Sequence, residues 1–439
     1  MKETHSPTNN LLGFQYYPDS AHYTHKDLNA ALEHLSNLGA AWLVLHAEAS
    51  RAIPETFISG LLAAGITPII HLPLSLPNAP AAADLKAILN AYGKWGANYV
   101  LLFDRPNDRA GWSAAGWSQA NLVESFLDRF VPLANECLNA GLTPIFPALT
   151  PGGSYWDLSF FTLALQSLQR RNQKALLNKM ALAAYACSFG HSIDWGKDGA
   201  SAWPQNKPYF TPAANENQIG FNQAIWLEEI AEKTLGKQLP LFLLGLGRKD
   251  LATPNSFSET EQASWVREIK SALPQLAASL PLLAGNFWLL QATAADENAS
   301  FAWVSETDTV NAAYRVFADV PAAQTAAAHT IPQGTASHVS ETASTAAPAN
   351  FSIHHYLLLP KYEWGIADWH LEVIKPFVRK YQPTIGFSLA EAALAAQVTV
   401  VGGEGQFSEE ALNTLRKAGA TVDRISGDGT SIATQLAER

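Results

Sequence analysis

Cysteine is nearly absent from this chain: Cys137 and Cys187 are the two among 439 residues. Two thiols are too few for a disulfide framework or a thiolate metal site. Cys137 lies in an amphipathic run and Cys187 ends an apolar one, so each reads as a small buried hydrophobe. Charge is sparse as well, at 15% Asp, Glu, Lys and Arg, with 29 basic against 39 acidic residues and a net charge of −10. No stretch gathers the basic residues, which excludes nucleic acid and anionic membrane surfaces from the expected partners. Long apolar runs are missing too. None approaches the ~20 residues that cross a bilayer, and the opening MKETHSPTNN holds no apolar signal core. No membrane span and no signal peptide are expected.

What the chain does have is apolar content, 48% of its residues, spread over a length that exceeds one hydrophobic core. Its first three hundred residues repeat one unit: an apolar run, a loop, then an amphipathic helix ending near Gly. The runs fall at 13–17, 41–46, 67–72, 98–103, 143–149, 180–187, 239–247 and 286–292. Their hydrophobicity is continuous rather than alternating, as in strands buried on both faces. Between them, helices read at period 3.6 over 26–38, 120–141, 263–273 and 307–318, the first with Leu28, Leu32, Leu35 and Leu38 on one stripe. Gly65 before Pro68 and Gly141 before Pro144 end a helix and open a strand. Eight such units predict an α/β fold, a closed (β/α)8 barrel over residues 1–318, with a doubly wound open sheet as the alternative.

Residues 319–350 are Ala, Thr, Ser and Pro with almost no large apolar side chain, and they read as a disordered tether. Residues 351–439 return to α/β alternation. Strands are expected at 356–360, 383–388, 398–403 and 420–426, and helices near 368–380, 389–396, 408–418 and 430–438, as a small three-layer domain.

Barrel chemistry gathers in the loops after the strands' C-terminal ends. Those ends supply Tyr17, His46, Glu48, His71, Asp104, Asn107, Tyr185, His191, Asp194, Arg248, Asp250 and Gln291 in chain order. The long loop 188–220 adds Trp195 and Trp203, and the loop after the fourth strand adds Trp112. Aromatic rings beside carboxylates and amides suit a sugar, whose C–H face stacks while its hydroxyls hydrogen-bond. Packing of the same rings against the barrel rim is the alternative. His46, His71 and His191 with Asp194 could hold a metal, but Tyr16-Tyr17 stands where metal-binding barrels carry His-x-His, so no metal is expected. Gly402-Gly403 lacks the spacing of a dinucleotide cradle, so no cofactor is expected.

On these residues the barrel resembles the glycoside hydrolases, especially retaining enzymes with an acid/base Glu after strand four and a nucleophile Glu ending strand seven. The strand-four match is Asp104-Arg105-Pro106-Asn107, with Arg105 at the Glu position. At strand seven, Gly245 or Leu246 stands at the nucleophile position. The resemblance therefore implies a glycosidase-like barrel without the usual pair, recognising a polysaccharide or cell-wall glycan through Tyr17, His46, His71, Asn107, Trp112, Tyr185, His191, Trp195, Trp203 and Gln291. An active enzyme with carboxylates relocated among Asp104, Glu48, Asp194 and Asp250 stays open, as does a structural or protein-binding barrel. The stretch 398–429 resembles the type 2 cell-wall-binding repeat of bacterial surface proteins. Its matching residues are Val401-Gly402-Gly403, Ser408 to Leu415, Gly419 and Val422 to Gly427. That resemblance implies a location at the cell surface or outside the cell.

Overall fold

A computed structural model describes residues 10–251, 258–319, 353–360, 374, 377–378, 380–381, 383–417, 419–427 and 429–437. The chain divides into two compact units on either side of residue 328. In the first, eight parallel strands close into a barrel. They are β1 Leu12–Gln15, β2 Trp42–His46, β3 Thr67–Leu72, β4 Tyr99–Leu102, β5 Thr143–Phe146, β6 Ala181–Tyr185, β7 Leu241–Leu246 and β8 Leu282–Phe287. Closure comes from β8 pairing with β1, Leu12 opposite Gly285 and Phe14 opposite Phe287. Seven strands overlap the expected runs closely. The eighth begins earlier than expected, at Leu282. Beyond its end, Leu290 N still donates to Gln15 O of β1 at 2.8 Å, while Trp303 N donates to Leu289 O and Val304 N to Leu290 O, each at 2.9 Å.

Local chemistry sets the helix ends. The helix His25–Leu38 opens on a capping box between Thr24 and Asp27 and closes on Gly39 at φ 62°. The last barrel helix starts at Ala312 rather than 307, because Asn311 Oδ1 accepts Tyr314 N at 2.9 Å and so caps it there.

The pleat sorts each strand's side chains into two cores. Outward residues such as Leu43, Leu45, Ile70 and Leu102 join the helices in the large cluster. Inward residues form a separate plug: Trp42 and Val44, Ile69, Leu101, Ile145, Ala181 and Ala183, Phe242 and Leu244, Ala284. Gly13 must be glycine for this plug to close. A Cβ there would stand 2.3 Å from Asn286 Oδ1 and 2.7 Å from Trp42 Cβ.

The second unit is a four-stranded parallel sheet ordered β10-β9-β11-β12, from β9 Ile353–Leu358, β10 Thr384–Gly386, β11 Ala395–Val401 and β12 Thr421–Ile425. Successive β9 residues serve opposite cores: Tyr356 and Leu358 pack with Leu412 and Leu415, while Leu357 and Leu359 pack with Ile432 and Leu436. That alternation makes the three layers. The helix expected at 389–396 stops at Ala392, because β11 already starts at Ala395. The expected tether lies outside the described residues from 320 to 350, and the helix expected at 368–380 is described only in part.

Replacing Gly13 with Ala overpacks the strand closure, which costs about 1–3 kcal/mol. The expected result is a thermal midpoint several degrees lower, read by circular dichroism. An unchanged midpoint would mean that the closure accommodates a methyl group.

Candidate functional site

Continuing each inward column by one pleat step reaches the C-terminal mouth of the barrel. Val44 leads to His46, Ile69 to His71, Ala183 to Tyr185, and Ala284 through Asn286 to Trp288. The apolar plug is thus roofed by a layer of polar and aromatic side chains. His46 and His71 sit with ring centroids 6.1 Å apart. Nε2 of His71 lies 3.2 Å from the Phe103 carbonyl, which fixes the proton on that nitrogen. Burial pushes the His71 imidazole down to about 4, outweighing the pull of the Asp104 carboxylate, and burial lowers His46 also. Both rings are neutral at pH 7.

Asp104 is the centre of this layer. Tyr185 donates its hydroxyl to Oδ1 at 2.6 Å, and Arg105 donates Nε to Oδ2 at 2.9 Å. Burial, with the Asp104 charge adding to it, holds the Tyr185 phenol well above its ordinary range, so it stays a donor. The backbone bends sharply to present the pair, with Phe103 at φ 63° and Arg105 at φ 44°.

Across the mouth, Gly245 takes φ 69° at the end of β7. A Cβ on it would lie 3.3 Å from both Cys187 Sγ and Tyr185 Cδ1. Left-handed backbone and crowding together oppose any side chain there. Cys187 beside it is fully buried, and burial pushes its thiol up to about 12, so it is no nucleophile at neutral pH. Arg248 follows, its guanidinium 4.7 Å above the Trp288 ring and 5.4 Å from Phe301. Two buried polar atoms near this end, Trp288 Nε1 and Gln291 Oε1, have no hydrogen-bond partner among the described residues. Tyr17 stacks on His22 at 3.8 Å, and His22 Nδ1 meets Asp19 at 2.8 Å.

The remaining sequence-derived residues lie around the rim or in the loops above it. Asn107 is fully buried and ties two loops together, donating to the Thr150 and Tyr155 carbonyls at 2.8 and 3.0 Å and accepting from Thr150 N at 2.9 Å. Trp112 is buried, with its indole N–H on the Pro106 carbonyl. His191 stacks on Trp195 at 3.9 Å, and Trp195 donates to Asn217 Oδ1 at 3.0 Å. Trp203 is half-buried, with its indole nitrogen unpartnered among the described residues. Asp194 is exposed and pairs with Lys197 at 3.3 Å, in a cleft also lined by Arg267 and Glu268 of the helix Glu259–Ser279. Glu48 is exposed on the rim, where Ser20 and Ser50 donate to its carboxylate. Asp250 is half-exposed, its carbonyl accepting Arg248 Nε at 3.0 Å. Gln291 lies beyond the end of β8, bridged to Val304. No group of three or more His, Cys, Asp or Glu side chains is placed to hold a metal among the described residues.

Arg248 was named at a strand end but not among the expected sugar contacts, and Trp288 is the mouth residue that the sequence reading lacks. The signal for Trp288 was its inward parity with Ala284 and Asn286, hidden by the later start expected for β8. Arg248 carried the strand-end signal, following directly on the seventh apolar run, but not a signal for ligand contact.

No protein-family model matches the chain, and no curated protein does. Among solved structures the chain is similar to a family 39 glycoside hydrolase from the gut symbiont Bacteroides cellulosilyticus WH2, at 14% identity and TM-score 0.47, over 70% of this chain and 63% of that one. It is similar also to a monomeric beta-xylosidase from Caulobacter crescentus CB15, at 13% identity and TM-score 0.47, over 70% and 67%. A third is the GH39 enzyme from Xanthomonas axonopodis pv. citri, at 13% identity and TM-score 0.46, over 71% and 66%. The chain thus spans less than two thirds of the first of these. The architecture itself rests on the closed eight-stranded sheet described above.

The burial of His71 carries a pH signature. The unfolded imidazole takes its proton near 6.5, while the folded one waits until about 4. The unfolded state therefore gains protons first as pH falls, and stability present above 6.5 is lost between 6.5 and 4. A His71→Gln variant is expected to lose less stability than the parent over that window in urea titrations. An imidazole seen by NMR to titrate near 6.5 in the folded protein would contradict the assignment.

Proposed function

We propose that the barrel binds a polysaccharide at its mouth without cleaving it. Glycoside hydrolysis needs one group to protonate the leaving oxygen and a second to attack or to activate water. The observation that carries the reading is the state of those two positions. Arg105 cannot protonate a leaving group at neutral pH, and Asp104 beside it has both oxygens engaged by Tyr185 and Arg105. Gly245 offers no oxygen, and its left-handed backbone and close neighbours disfavour a side chain that would.

Recognition is supported by what remains. Asp104, Arg105, Tyr185 and His46 place donors and acceptors around a half-buried floor, with the unpartnered Gln291 Oε1 and Trp288 Nε1 toward β8. The half-buried Trp288 brings ring surface to the same end, with Tyr17 buried against His22 nearby. A sugar satisfies both kinds of surface together.

The C-terminal unit, in this reading, holds the protein at a cell wall. Its local geometry agrees with the repeat that it resembles. Gly402 takes φ 147° after β11, Ser408 Oγ accepts Ala411 N at 3.3 Å to cap the helix Glu409–Lys417, and Gly419 takes φ 96° beyond that helix. Arg424 then donates to the Phe407 carbonyl and pairs with Glu409 at 3.5 Å, tying β12 to the glycine turn.

The test is retention of the full chain on insoluble polysaccharides and isolated bacterial cell walls, followed by titration with soluble oligosaccharides. Tyr185→Phe removes the hydroxyl that positions Asp104 in the binding floor, and an affinity loss of about tenfold is expected. Its melting temperature should stay within a few degrees of the parent. Absence of retention on every glycan would sink the reading.

A further inference from the structure

On the resemblance to glycoside hydrolases, cations stand where the two carboxylates are expected. Arg105 is at the acid/base position that the resemblance implies. Arg248 reaches the vacated nucleophile position: its Cδ lies 3.8 Å from the point where a Cβ on Gly245 would be, and Tyr185 Cδ1 lies 3.3 Å from the same point. Tyr185 then joins the two arginines, through its hydroxyl to Asp104 and from Asp104 to Arg105 Nε.

The two guanidinium groups are not equivalent. Arg105 has its counter-charge in Asp104. Arg248 is half-buried, yet it pairs with no carboxylate among the described residues; its Nε donates to the Asp250 carbonyl, and its plane rests near two aromatic rings. The Nη groups of both arginines make no hydrogen bond among the described residues. A half-buried guanidinium with free N–H groups is costly unless something fills its fork. A carboxylate fills it best, taking two parallel N–H bonds, where a neutral hydroxyl takes one. Two acids of the rim are engaged elsewhere: Glu48 by Ser20 and Ser50, and Asp19 by His22.

Building on the glycan-binding reading, we propose that the mouth selects an acidic polysaccharide, with a uronic acid unit placing its carboxylate on Arg248 and Arg105 alongside. Discrimination then comes from charge at one sugar unit, against a chain whose net charge of −10 repels acidic polymers everywhere else.

The experiment compares pairs that differ only in that charge. Full-length protein is titrated by calorimetry with oligogalacturonate and its full methyl ester, and with glucuronoxylan and unsubstituted xylan. The expected result is binding to at least one acidic member about tenfold or more tighter than to its neutral counterpart. The preference should shrink as salt is raised, and Arg248→Gln should reduce it to near unity. Equal binding within each pair, or preference for the neutral member, overturns this inference and leaves glycan binding standing. A preference that survives both Arg248→Gln and Arg105→Gln, with melting temperatures unchanged, places the selectivity elsewhere and also overturns it. Binding to no glycan in this set or in the wider panel overturns both readings.

Discussion

The pairing of β8 back onto β1 is the contact on which the rest of the barrel depends. Without it, two strand edges would expose unpaired N–H and C=O groups, and the inward side chains would face water instead of one another. Closure needs the smallest residue at Gly13, where Asn286 and Trp42 converge. Once closed, the sheet has an inside and an outside, and each strand must be apolar on both faces. The mouth follows from the same geometry. The column that buries Trp42 and Val44 delivers His46 to the rim, and the column that buries Ala181 and Ala183 delivers Tyr185.

Above the rim, buried polar groups rather than apolar packing fix the loops. Asn107 ties the loop after β4 to the loop after β5. Asp157 is fully buried and accepts from Gln218, Gln223 and Gly152 N, which fastens the long loop after β6 to the loop after β5. Burial raises the Asp157 pKa, and these hydrogen bonds oppose that shift. Such residues look like ligand contacts in sequence, being polar and adjacent to the site. Their bonds are internal, so they support the mouth without facing it.

That distinction marks where sequence reading succeeds here and where it stops. Strand placement was legible because continuous apolar runs between glycine-ended helices have few other uses. His46, His71, Asp104 and Tyr185 were legible as strand-end residues, because strand direction alone sends them to the mouth. Loop residues were not. Trp195 and His191 stack on each other and Trp112 turns inward, since the path of a long loop is set by contacts such as Asn222 with the Ile193 and Trp195 carbonyls. Arg248 was legible as a strand-end residue, but its approach to Trp288 was not, because the left-handed turn at Gly245 decides where it points. The boundary of β8 differs for a related reason: beyond Phe287 the chain pairs with 303–304 as well as with β1, through Leu290 N on the Gln15 carbonyl.

The central proposal is that the barrel mouth binds a glycan and does not cleave it. It rests on two positions, one filled by an arginine and the other by a crowded, left-handed glycine. The most direct measurement is release of new reducing ends from a broad set of polysaccharides, neutral and acidic, over long incubations with the full chain. The account predicts release no faster than in the uncatalysed control on the same polymers that the protein retains. Sustained release that Asp104→Asn abolishes would contradict it, because a carboxylate held between Tyr185 and Arg105 would then be working as a catalytic group.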